Sequence, residues 1–121
     1  MADINGVWLG TYWQGGEPVR FEMTLITGGN ALSGSILDDS YLGEASLAGE
    51  ISGRSISFTK TYLITSRHSV YYTGKIADEG NKMQGKWKIG FFSGRWEALR
   101  NDDNLSFGKT TRKKDRVPVS I

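Results

Sequence analysis

Apolar side chains recur at every second position in short runs along this chain, and Gly, Asn, Asp and Ser fall between the runs. Alternation of that period puts one side of an extended segment into a core and the other into water, so it predicts half-buried antiparallel strands. Helical periodicity is missing. Eight strands are expected, over Gly6–Gln14, Val19–Thr27, Ala31–Asp38, Gly43–Ser52, Ser55–Leu63, Ser69–Ile76, Lys82–Ile89 and Gly94–Arg100. The gaps, such as Thr27-Gly-Gly-Asn30, Gly53-Arg54 and Asp78-Glu-Gly-Asn81, leave room only for hairpin turns. A meander of short strands loses its two exposed edges by closing on itself. The expected fold is therefore an all-β, eight-stranded antiparallel up-and-down barrel.

The same alternation assigns the inward face. Phe21, Met23 and Leu25 point in while Arg20, Glu22 and Thr24 point out; Ile56 and Phe58 point in, as do Met83, Gly85, Trp87 and Ile89. Glycines stand on that face two residues before a large side chain, as Gly34 before Ile36, Gly49 before Ile51, Gly74 before Ile76, Gly85 before Trp87 and Gly94 before Trp96. An inward glycine lets a strand coil tightly and leaves room for its neighbour's ring, which suits a small, strongly curved barrel.

Length and charge narrow the organisation. The 121 residues suffice for one domain, read as a barrel over 1–100 followed by a polar, basic extension over 101–121. The extension carries Lys109, Arg112, Lys113, Lys114 and Arg116 against Asp102, Asp103 and Asp115, which accounts for the whole net charge of +2 and leaves the first hundred residues neutral. A neutral body predicts no nucleic-acid partner, since such a partner calls for a basic face. Val117-Pro-Val-Ser-Ile121 alternates as a strand does and is expected to lie along a barrel wall or a neighbouring subunit. With no cysteine and one histidine, neither a disulfide nor a metal site nor a cofactor is expected. No leader and no apolar run long enough to span a bilayer is evident, so the expectation is a cytoplasmic protein without a membrane partner.

Gly6-Val7-Trp8 at the start of the first strand and Arg100 at the end of the last resemble the closure signature of calycin barrels. The resemblance implies that Trp8 plugs the closed end and that Arg100 stacks upon it. Phe21-Glu-Met-Thr24, Ala31-Leu-Ser-Gly-Ser35, Leu47-Ala-Gly49, Ile56-Ser-Phe-Thr-Lys60, Tyr71-Tyr-Thr-Gly74, Gln84-Gly-Lys-Trp87 and Arg95-Trp96 extend it, in order, toward the avidin and streptavidin family. That family's biotin chemistry carries over poorly. Gly10 stands where the family keeps an asparagine for the ureido oxygen, Ile36 where it keeps a tyrosine, and only Trp87 matches its tryptophan box. A buried ureido group left unpaired would cost about 1–3 kcal/mol for each missing partner, so biotin is not the expected ligand.

Chain direction sorts the inward residues by end. The closed end should hold Trp8, Leu25, Leu32, Ile51, Ile56, Ile76, Met83 and Arg100; the open end should hold Tyr12, Gln14, Phe21, Asp38, Ala45, Lys60, Tyr62, His68, Val70 and Ile89. The open end thus mixes aromatic walls with a few polar groups, as a small-molecule pocket does. Lys60 is its most informative member: an inward ammonium needs a carboxylate, with Asp38 the candidate, or a ligand anion. The preferred reading is a non-catalytic barrel binding an anionic or polar-aromatic molecule through Tyr12, Asp38, Lys60, Tyr62 and His68. The alternatives are an interaction or structural module with a filled barrel and, third, an isomerase or cyclase using Lys60, Tyr62 and His68. Trp13 and Tyr71 face outward and suggest a subunit contact in a dimer.

Overall fold

The computed structural model describes residues 3–64 and 68–101. They form eight strands, β1 (Gly6–Gln14), β2 (Glu17–Gly28), β3 (Ala31–Asp38), β4 (Glu44–Ser52), β5 (Ser55–Tyr62), β6 (Ser69–Ile76), β7 (Lys82–Ile89) and β8 (Phe92–Arg100). Each pairs antiparallel with the next, and β8 pairs with β1 to close the barrel. The seam runs in register from Trp8 opposite Arg100 to Tyr12 opposite Trp96. No helix among the described residues is long and apolar enough to cross a membrane.

Expected and observed strands coincide at β1, β3, β6 and β7 and differ elsewhere by one or two residues. The two-residue differences lie where β8 begins at Phe92 and where β2 begins at Glu17. At β2 the cause is the preceding turn. There Gly15 and Gly16 both adopt positive φ, 58° and 85°, making a two-residue turn that lets Gln14 pair directly with Glu17. That turn carries Gln14 past the barrel mouth, so the inward position expected for it is corrected to an exposed one. The turn at Ser66-Arg67 and the extension from 102 onward, Val117–Ile121 included, lie outside the described residues.

The barrel interior is a continuous core. Trp8, Met23, Leu25, Ile36, Phe58, Tyr72, Met83 and Trp96 are buried in it, and all the apolar closed-end residues named from the alternation join them. Phe58 stacks on Tyr72 with ring centroids 4.9 Å apart, and Trp96 meets both edge-on. Each inward tryptophan indole finds a backbone acceptor, as a buried N–H must: Trp8 donates to Ile4 O, Trp87 to Trp13 O and Trp96 to Thr73 O. The inward glycines are set by backbone approach. A Cβ on Gly34 would sit 1.9 Å from Thr24 O, and one on Gly85 would sit 1.8 Å from Thr73 O. Neighbouring strands pass too closely at these points for any side chain, and this tight coiling keeps the barrel small.

Trp8 and Arg100 meet at the closed end as expected. The guanidinium carbon lies 4.7 Å from the indole centroid. Arg100 also donates to the carbonyls of Asn5, at 2.9 Å, Gly80, at 3.0 Å, and Asp3. It is half-buried rather than wholly inside.

Candidate functional site

The period of two along β5 turns Ile56, Phe58, Lys60 and Tyr62 to one side, so an ammonium enters an otherwise apolar barrel. Lys60 is 1 % exposed. Its Nζ lies 3.0 Å from Asp38 Oδ1 and 3.1 Å from Oδ2, so the carboxylate faces it with both oxygens. Asp38 is the last residue of β3 and is 4 % exposed. Tyr12, from β1, donates its hydroxyl to Asp38 Oδ2 at 3.0 Å, and Tyr62 donates to the same oxygen. Oδ2 therefore accepts from one ammonium and two phenols.

The rings complete the enclosure. Nζ stands 4.6 Å from the ring centroids of Tyr12 and Tyr62 and 5.4 Å from that of Tyr72. A cation over aromatic faces in a desolvated setting gains up to about 2 kcal/mol from the ring quadrupoles. Tyr72 also brings its hydroxyl within 3.3 Å of Nζ. Burial pushes the Lys60 amine below its ordinary pKa, and Asp38 partly restores it. Burial likewise pushes the phenols of Tyr12, Tyr62 and Tyr72 above theirs, since a phenolate here would face the Asp38 carboxylate.

Tyr12, Asp38, Lys60 and Tyr62 thus form one cluster, as the alternation suggested. His68 flanks it. Its ring centroid is 4.8 Å from that of Tyr62, and its carbonyl accepts the Tyr62 amide at 3.1 Å. Tyr72 is the member that the sorting by ends passed over. The signal was present, because Val70 and Tyr72 share a face of β6, but Tyr72 lies deeper than the open-end set, beside Phe58.

Below the cluster the barrel is occupied. A Cβ on Gly10 would meet the ring of Phe21 at 2.3 Å, so that ring fills the space beside β1. Ile36 stands in the core at 2 % exposure. Among the described residues, no group of three or more His, Cys, Asp and Glu side chains could hold a metal ion.

Outside, the two outward aromatics Trp13 of β1 and Tyr71 of β6 differ. Arg95 stacks on Trp13 with its guanidinium carbon 3.9 Å from the indole, so Trp13 is half-covered within its own chain. Tyr71 stays uncovered at 51 % exposure. Tyr41, Leu63, Ile64 and Phe91 are exposed apolar residues on three of the open-end connections, and exposed Phe92 follows them as the first residue of β8. No family model and no curated protein matches this chain.

Proposed function

We propose that this chain is an avidin-like barrel in architecture and a filled one, a non-catalytic interaction module that works through its outer wall and open-end loops. One observation carries the reading: Lys60, the cation that would have received a ligand, is sealed inside and bonded to both oxygens of Asp38. An anionic ligand would have to displace a carboxylate already held by the ammonium and by the hydroxyls of Tyr12 and Tyr62. Charge-assisted hydrogen bonds of this kind contribute about 1.5–3 kcal/mol each, so the displacement is costly. Phe21 beside Gly10 and Ile36 in the core oppose biotin in the same way. Lys60 is 1 % exposed and held as an ammonium by Asp38, so it offers a substrate no accessible lone pair, which supports a module without catalytic chemistry.

A small ligand at the open end is the second reading. It is favoured by the convergence of Tyr12, Asp38, Lys60 and Tyr62 on one place, beside His68. Native mass spectrometry of the protein isolated from its own host separates the two. The filled module is expected to show the mass of the polypeptide alone. A co-purifying small molecule that is lost from the double variant Asp38→Leu with Lys60→Met would overturn it in favour of the ligand barrel.

A further inference from the structure

The first hundred residues are electrically neutral in sum, yet the barrel sorts their charges by face. On the three consecutive strands β6, β7 and β8, the exposed outward residues include Lys75, Lys82, Lys86, Lys88 and Arg95, against the half-buried carboxylate of Glu97. The opposite wall, β2 to β4, exposes Glu17, Glu22, Glu44 and Glu50 against Arg20. One wall is basic and the other acidic. Period-two alternation causes this on β7, where Lys82, Lys86 and Lys88 all fall on the outer face while Met83 and Trp87 fall inside.

The basic wall also has relief. Short side chains at Ser55, Ser57 and Thr73 leave a groove of about 630 Å³ on the outside of the barrel, running from β4 across β5 to the edge of the basic wall at β6 and β7. Lys75 and Lys86 rim it, and Lys75 is held over it by a 2.9 Å hydrogen bond to Ser55 Oγ. Glu50 lies at its far lip. Tyr71 stands on the same face of β6 as Thr73 and directly opposite Lys88 on β7. Its ring is half exposed and presents a flat apolar surface beside Lys88.

From this arrangement we propose that the β6–β8 wall binds single-stranded nucleic acid, with the backbone phosphates along Lys75, Lys86, Lys88 and Arg95 and a base stacked on Tyr71. The inference rests on the outer-wall reading above and names its partner. Lys86 and Lys88 stand two residues apart on β7, about 6.6 Å, and Arg95 lies opposite Lys86 on β8, so three of the cations form one compact patch for a polyanion. An exposed ring among those cations is the sequence-tolerant stacking platform that single strands use. A convex barrel wall presents no protruding helix or ribbon to enter a duplex groove, so an unpaired strand is the better fit. The expectation that no nucleic acid is a partner came from charge summed along the chain, and summation loses the sorting that the fold performs.

The test is fluorescence anisotropy of the full chain with a labelled oligothymidylate of about twenty nucleotides, long enough to reach Tyr71 and the cations together. Neutralising about four phosphates gives a log–log salt slope near −3, so a fourfold rise in salt should weaken binding about fifty-fold. Lys86→Glu with Lys88→Glu should weaken it at least about tenfold and Tyr71→Ala several-fold, while Glu22→Gln on the opposite wall leaves it unchanged. Absence of binding at low salt, or binding undiminished by the β7 charge reversals, overturns the proposal. Equal displacement by heparin with no effect of Tyr71→Ala overturns it in favour of a charge-only polyanion site. Sedimentation with phosphatidylserine vesicles but no oligonucleotide binding overturns it in favour of a lipid surface. Oligonucleotide failure leaves the filled-barrel module standing, whereas a co-purifying small molecule overturns that module whatever the oligonucleotide does.

Discussion

Lys60 of β5 and Asp38 of β3 reach across the barrel interior, with β4 lying between their strands in the sheet, and meet at 3.0 Å. The pair changes what substitution at Lys60 does. Had the ammonium been alone, Lys60→Met would have removed a costly charge and left the fold intact. With Asp38 present, the same change strands a buried carboxylate. The expected cost is about 3–5 kcal/mol, measured by urea denaturation. The double variant Asp38→Leu with Lys60→Met removes both charges and should recover most of that loss, because apolar replacement of a whole buried pair is often neutral or stabilising. A double variant as unstable as the single one would contradict this.

Arg100→Ala should lower the melting temperature by several degrees, on the order of 1–2 kcal/mol, because it removes the cation from the face of Trp8 and leaves carbonyls at the closed end without their donor. Arg100→Lys keeps the charge but cannot reach Asn5, Gly80 and Asp3 together, so it should fall between wild type and Ala in a thermal melt.

Gly85→Ala should be among the most damaging single-methyl changes in the chain. Its Cβ would sit 1.8 Å from Thr73 O, and backbone of a neighbouring strand cannot yield as a side-chain tip can. A loss of about 3 kcal/mol or more is expected. Gly15→Ala meets no atom within 4 Å but must adopt φ 58°, so its cost should be smaller, about 1 kcal/mol. Chemical denaturation of both variants checks the order.

Alkali should unfold the barrel through its tyrosines. Tyr12, Tyr62 and Tyr72 have native pKa values raised above the ordinary 10.0, chiefly by burial. Their contribution to stability is complete below pH 10 and is lost as the pH climbs toward the native values, since the unfolded chain releases those protons first. Lys60 acts in the opposite sense, but only up to its ordinary 10.5, beyond which both states have shed its proton. Above that pH the tyrosines alone set the slope, and stability should fall. Ultraviolet titration should show the tyrosinate absorbance of these three appearing in one step with the loss of circular dichroism. Gradual ionisation within an intact barrel would refute the account.

Most of the barrel was legible because strand alternation is a local property. Ile56, Phe58, Lys60 and Tyr62 had to share a face of β5 once β5 was extended, and so the Lys60 cluster could be assembled before any coordinates. Depth was not legible. Whether an inward residue lines a mouth or plugs it depends on how far neighbouring strands are staggered, and alternation carries no stagger. Tyr72 was missed for that reason, and the room beside Gly10 gave no sign that Phe21 would take it. Charge sorting around the circumference was hidden differently. It requires knowing that β6, β7 and β8 are neighbours, and a sum over the sequence discards adjacency.

The seam between β1 and β8 sets a condition on how the barrel is made. Trp8 faces Arg100 and Tyr12 faces Trp96, so the pairs that close the ring join residues more than eighty positions apart. Every other strand pair is between sequence neighbours and can form locally as the chain emerges. During synthesis, β1 therefore waits with one side of its backbone unpaired until the last strand has left the ribosome. Such an edge invites pairing with other chains. The closing contacts span most of the chain, which makes ring closure the expected slow step of folding. A nascent chain halted before Phe92 would be an open sheet with β1 and β7 as two unsatisfied edges, dependent on chaperones to stay apart from its copies.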